Sequence, residues 1–176
     1  MRVLGIDPGK DGAFAIVNDA HLELVETFPK VGPDKPESEI SFKELHKRLL
    51  KLNVGIDLIF IERLSAIYGS SAKSTFNFGR NYQIALSVAE LLYLPTELIK
   101  PIDWQRAMFK GETPQYKISK DGKKNKKDTK AMALKVAHRL FPNEDFQRTQ
   151  RTTKPHDGMV DAALIAYWGA NLKWRK

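Results

Sequence analysis

The chain has 176 residues, 42% hydrophobic and 28% charged, with a formal charge of +8 and no cysteine. The length predicts a single domain over residues 1–176 with a real hydrophobic core, and the missing cysteines exclude disulfides and cysteine-ligated zinc. No apolar run approaches the roughly 20 residues of a membrane span, and Asp7 and Pro8 break the opening apolar run too early for a signal peptide. A cytoplasmic protein without membrane contact is expected.

The elements begin with a short strand, Arg2–Asp7, closed by the turn PGKDG. Strands over Ala13–Asn18 and Leu22–Phe28 follow and predict an antiparallel meander. After the loop KVGPDKPESE, Ser41 and Glu44 stand at capping-box spacing before a helical stripe of Phe42, Leu45, Leu49 and Leu52. Asp57–Glu62 reads as a buried strand ending in an acid. From about Ser74, the positions Phe78, Tyr82, Ala85, Leu86, Ala89 and Leu92 fit one long helix, ended by Pro95. TELIK is a strand and Pro101 opens a short helix. KGETPQYKISKDGKKNKKD reads as a polar loop. Asp128 is the expected N-cap of a helix that stops before Pro142. The loop NEDFQRTQRTTK leads to a last helix, HDGMVDAALIAYWGANL. This order predicts an α/β protein, a mixed five-stranded sheet flanked by helices.

The positive charge is concentrated. From Lys100 to Lys130 there are ten Lys or Arg against four Asp or Glu. Such a block favours an anionic partner, most often nucleic acid. On charge alone, a solubilising lysine loop is an equal reading.

Four acids stand where chemistry is expected. Asp7 and Glu62 each end an apolar strand, and the two meet if those strands are neighbours. Asp157 and Asp161 are four residues apart and share one helical face. Packed together, four carboxylates repel strongly and call for cations. Oxygen-only ligands suit Mg²⁺ or Mn²⁺. Two such ions about 4 Å apart can activate water and stabilise a leaving oxygen in phosphodiester cleavage. Each residue has a plainer reading. Asp7 is then a turn aspartate, Glu62 an acid exposed as its strand leaves the core, Asp157 a helix N-cap and Asp161 a solvated residue. His156 is a ligand or general base, or a solvated histidine at a helix start.

The ordered set GIDPG, IFIER, FGRNYQIALSVAELL, IKPIDWQ, KKDTKAMALKVAHRLFP and HDGMVDAALIA resembles the RuvC-type Holliday-junction resolvases over nearly the whole chain. The compact form is similar to phage-encoded members. The resemblance implies a ribonuclease-H-like fold and a homodimer that makes paired nicks in four-way DNA junctions during recombination and repair. It implies Mg²⁺ or Mn²⁺, two ions per site, in a bacterial cell or phage-infected host. Asp7 matches the first-strand acid, Glu62 the fourth-strand acid and Asp161 the last acid of the family. Many members place the remaining ligand three residues before the last, where this chain has Gly158. Asp157 is the natural substitute and His156 the runner-up. The long helix resembles the family's pairing helix, with Gly79 and Ala85 allowing close approach. Tyr68, Phe76 and Phe78 follow the Glu62 strand, where relatives carry aromatics that wedge into the junction. Lys123, Lys124, Lys126, Lys127 and Lys130 match a region that faces DNA phosphates, and Lys127 or Lys130 is placed to stabilise charge on the phosphate being cut.

Two other function classes remain open at this point. One is a catalytically silent nucleic-acid-binding protein on the same fold, which the presence of all four acids argues against. The other is a nuclease acting on RNA. An actin-like phosphotransferase would need a second phosphate-binding half and a longer chain.

Overall fold

Val3, Leu4 and Ile6 are all fully buried, so the first strand is covered on both faces. In the computed structural model the described residues are 1–32, 39–64, 69, 71–118, 124–149 and 151–173. Strands β1 (Arg2–Asp7), β2 (Ala13–Asn18) and β3 (His21–Thr27) form the antiparallel meander, and β4 (Leu58–Glu62) and β5 (Thr96–Ile99) extend it on the other side of β1. The order is β3-β2-β1-β4-β5, with β1, β4 and β5 mutually parallel. This is the mixed five-stranded sheet expected from the sequence.

Alternation along the strands separates two cores. Leu4, Ile6, Ile59 and Ile61 point to one face, against α1 (Phe42–Leu52) and α2 (Ala72–Leu91). Val3 and Phe60 point to the other, against α3 (Pro101–Met108), α4 (Thr129–Leu140) and α5 (Asp157–Asn171). Helix α5 is apolar nearly all round because it lies between the sheet and its neighbouring helices. It sits very close to β1: a Cβ at Gly5 would run into the Ala162 carbonyl oxygen and the Ala166 nitrogen.

The helix starts follow their caps. Ser41 accepts from the Glu44 amide, and Asp128 accepts from the Ala131 amide, as the spacing predicts. Three expectations are corrected. The lysine-rich segment is not all loop: Tyr116–Ile118 (β6) and Lys124–Lys127 (β7) pair as an antiparallel ribbon, helped by an aromatic and a β-branched residue in β6. Asp157 is not the cap of α5. His156 takes that place, its Nδ1 accepting from the Met159 amide, and Asp157 is the first helical residue. Ala85 is fully buried against the protein's own sheet, so it is not on a face open to a partner helix, whereas Gly79 is exposed with open space where its Cβ would lie. Among the described residues no helix is long and apolar enough to cross a membrane.

Candidate active site

Parallel pairing sets Ile6 opposite Ile61, so the next residues, Asp7 and Glu62, leave the sheet side by side. Both share the parity of Val3 and Phe60, which is the face covered by α5. Helix α5 brings Asp161 over the same strand ends, one turn after Asp157. Asp7, Glu62, Asp157 and Asp161 line one cleft of about 480 Å³ together with His156, Lys130, Phe78 and the Gly9–Gly12 turn.

The four acids are not equivalent. Asp7 is only 9% exposed, and burial pushes its carboxyl up to about 6 against the pull of the Gly9 amide, His156 and Lys130. Glu62 is pushed up to about 7, first by burial and then by the Asp7 charge. Burial, then Asp7 and Glu62, hold Asp161 well above the usual carboxylate range. Asp157 stands at the rim, with its side chain 56% exposed, and pairs with Lys130 from the first turn of α4. That hydrogen bond is the main reason the Lys130 ammonium is held above its ordinary range, and Asp161 and Asp7 add to it.

Partners outside the acid set hold Asp7, Glu62 and Asp157. The Gly9 amide donates to Asp7 Oδ1 at 2.9 Å, and Trp104 Nε1 donates to Glu62 Oε1 at 2.7 Å. Among the described residues no three His, Asp or Glu side chains converge as they stand on one ligation point. Glu62 is turned to Trp104 and Asp157 to Lys130. The donor set itself is hard and oxygen-rich, with mutually repelling charges and all but Asp157 withdrawn from solvent, and that chemistry fits a divalent ion such as Mg²⁺ or Mn²⁺.

His156 is tied at one ring nitrogen, Nδ1, which caps α5, while Nε2 lies 3.8 Å from Asp11 Oδ2, beyond hydrogen-bond distance. His156 and then Lys30 hold the Asp11 carboxyl below the usual range. Gly158 has no room for a side chain. A Cβ there would lie 2.8 Å from Asp7 Oδ2, so the space a side chain needs is taken by Asp7 itself.

The expected nucleic-acid residues divide. Lys130 lines the cleft. Lys126 and Lys127 are exposed on β7, and Lys127 Nζ sits 5.9 Å from the centre of the Phe109 ring, outside the cleft lining. Phe78 is in the cleft, but Phe76, 70% exposed, is not: it lines a separate apolar groove with Phe42, Gly79 and Ile84. Lys124 is paired through its backbone in β7, while Tyr68 and Lys123 lie outside the described residues. Sequence reasoning missed Trp104, Asp11 and Asn81. Trp104 carried a signal, a lone large aromatic flanked by the polar residues Asp103, Gln105 and Arg106. Asp11 and Asn81 carried none.

No family model matches this chain, and no curated protein matches it. Solved structures do. The chain is similar to T. thermophilus RuvC in complex with Holliday junction substrate, with a TM-score of 0.56 and 17% identity over 96% of this chain and 95% of that one. It is similar to another Thermus thermophilus RuvC structure at a TM-score of 0.53, with 16% identity and the same coverage of both chains. Against the yeast mitochondrial Holliday junction resolvase, Ydc2, the TM-score is 0.53 with 17% identity, over 96% of this chain and 77% of that one. The fold is therefore that of these RuvC and Holliday junction resolvase structures.

Proposed function

We propose that this protein is a divalent-metal-dependent endonuclease of the RuvC type that nicks four-way DNA junctions. The observation that carries this reading is the convergence of Asp7, Glu62 and Asp161, from three separate elements, on one cleft within a resolvase fold. Asp7, Glu62, Asp161 and Asp157 would hold Mg²⁺ or Mn²⁺, two ions in the full site, with His156 as the alternative fourth ligand. When bound, such ions activate a water and stabilise the departing oxygen.

The protein's own groups do the remaining work. The Gly9 amide and Trp104 Nε1 orient Asp7 and Glu62. Lys130, one of two lysines lining the cleft with Lys10, would present its ammonium to the phosphate being cut. The β6–β7 ribbon is rooted beside the cleft, because the Asp128 amide donates to the Gln115 carbonyl at 2.8 Å just before α4. Its exposed Lys126 and Lys127 would contact the phosphates of the arms, which fix position without reading sequence. Pairing of two copies through the outer face of α2, at Phe76 and Gly79, would set two clefts against opposing strands.

The test is cleavage of a synthetic four-way junction, with duplex, flap and RNA–DNA hybrid controls, with and without Mg²⁺. Mg²⁺-dependent paired nicks in the junction alone are expected. Binding without cleavage under all conditions would make the protein a silent DNA-binding relative. Preference for the hybrid would make it a ribonuclease.

A further inference from the structure

The turn after β1 is held from a direction that the catalytic reading does not use. Asn81 lies on the inner face of α2, in the layer opposite α5, and is 1% exposed. Its Nδ2 donates to two successive carbonyls, Lys10 O at 2.8 Å and Gly9 O at 3.2 Å. The amide of the same Gly9 donates to Asp7 Oδ1 at 2.9 Å. The chain of contacts therefore runs from a helix on one face of the sheet, through one peptide turn, to a carboxylate on the other face.

The residue type fits this task. An amide nitrogen carries two protons and no charge, so it can bridge adjacent carbonyls. A hydroxyl has one proton, and an aspartate at this position would set its oxygens against two others. Asn81 also carries a cost: its Oδ1 is buried and has no hydrogen-bond partner among the described residues. Its helical neighbours in the core, Ala85, Val88 and Ala89, are apolar, and an apolar residue would suit packing better. A local rule broken in this way marks a site kept for something other than stability. Gly9 is itself tightly placed, since a Cβ there would lie 3.1 Å from Asp7 Oδ1. Small displacements of the turn therefore reach the carboxylate directly.

We propose that Asn81 is a positioning residue that braces the Gly9–Lys10 backbone from α2 and thereby fixes where the Asp7 carboxylate stands. This rests on the reading of Asp7 as a metal-holding acid of a nuclease. The same helical turn carries Gly79 and Arg80, which line the outer groove, so α2 presents one surface outward and steadies the cleft from its other side.

The experiment compares the full-length parent with Asn81→Asp and Asn81→Leu, with Val88→Ala as a core control on the same helix. Amide hydrogen exchange at Gly9 is read by NMR without metal, Mn²⁺ affinity by calorimetry, and junction cleavage in Mg²⁺. In the parent, both Nδ2 protons of Asn81 should exchange slowly. Both Asn81 variants should speed exchange at Gly9 on the order of tenfold, the scale of one lost hydrogen bond. They should also weaken Mn²⁺ binding and slow cleavage, while junction affinity in metal-free buffer stays at the parent value. Val88→Ala should lower the melting temperature and leave Gly9 exchange and Mn²⁺ affinity unchanged. Fast exchange of the Asn81 side-chain protons in the parent would overturn the brace. So would parent-like Gly9 protection in folded Asn81→Asp, or an equal loss in Val88→Ala. If the parent itself neither bound Mn²⁺ nor cut junctions, the nuclease reading would fall, and Gly9 exchange would still decide the brace.

Discussion

Asp7 and Gly158 meet face to face: a single added methyl at Gly158 would lie 2.8 Å from Asp7 Oδ2. Gly158 is the second residue of α5, and its missing side chain lets the helix descend onto the end of β1. Alanine there should favour the helix by roughly 0.5–1 kcal/mol on backbone grounds. It should also drive the short, buried Asp7 carboxylate off its Gly9 contact. Gly158→Ala is expected to remain folded and lose cleavage by about 10²-fold, the scale of a misplacement of ~1 Å. Parallel melting curves and junction-cleavage rates check both halves.

The acids should separate by depth. Asp7→Asn and Asp161→Asn each remove a charge and little volume, so cleavage should fall by more than ~100-fold, beyond the usual loss from a ligand-supporting residue. Junction binding should persist, because it depends mainly on the basic surface. Asp157→Asn should cost more activity than His156→Ala, since the His156 Nδ1 lone pair is already taken by the Met159 amide. Single-turnover cleavage and metal-free binding of the four variants measure this. A larger loss at His156 would transfer the fourth ligand role to it.

Without metal, the acids make the fold sensitive to pH in a defined direction. Asp7 is raised from 3.8 to about 6 and Glu62 from 4.5 to about 7. The native state therefore holds protons that the unfolded chain has lost. This contribution to stability is full below about pH 4 and is lost as pH rises through the folded values. In EDTA, the melting temperature should fall from pH 5 to pH 8, and Mg²⁺ should restore more at pH 8 than at pH 5. A parent-like slope in a Glu62→Gln, Asp161→Asn double variant would contradict this assignment. Trp104→Phe removes the donor that favours ionised Glu62, so the pH at which cleavage sets in should move upward.

The lysine ribbon gives a prediction in salt rather than pH. Replacing Lys123, Lys124, Lys126 and Lys127 with alanine should weaken binding to every DNA shape. Each lost phosphate contact should lower the log–log salt slope by roughly 0.9 on duplex arms. Junction preference over duplex should survive. Isotherms at several salt concentrations measure the slope, and an unchanged value would remove the ribbon from the DNA surface.

Local patterns were legible because their causes are local. The strand ending in Asp7, the strand ending in Glu62, the caps at Ser41 and Asp128, and the shared face of Asp157 and Asp161 all follow from periods of two or 3.6 and from the unpaired amides at helix starts. The order of elements supplied the mixed sheet, and the resemblance set Asp7, Glu62 and Asp161 together on it. Local pattern misjudged the start of α5. His156 and Asp157 can both cap a helix, and only the cleft assigns the cap to His156 and leaves Asp157 to Lys130. The same holds for Ala85, whose helical stripe does not say which side meets the sheet. The Glu62–Trp104 hydrogen bond spans 42 residues, and the Asn81–Gly9 bond spans 72. Such contacts depend on strand order and on how closely two layers pack, which no short period in the chain encodes. The sequence by itself determined which residues carry the charges and on which strand ends and helix faces they sit. The tertiary structure alone decided their depth, their holding partners and the glycine that makes room for them, because burial and hydrogen bonding are properties of the assembled layers.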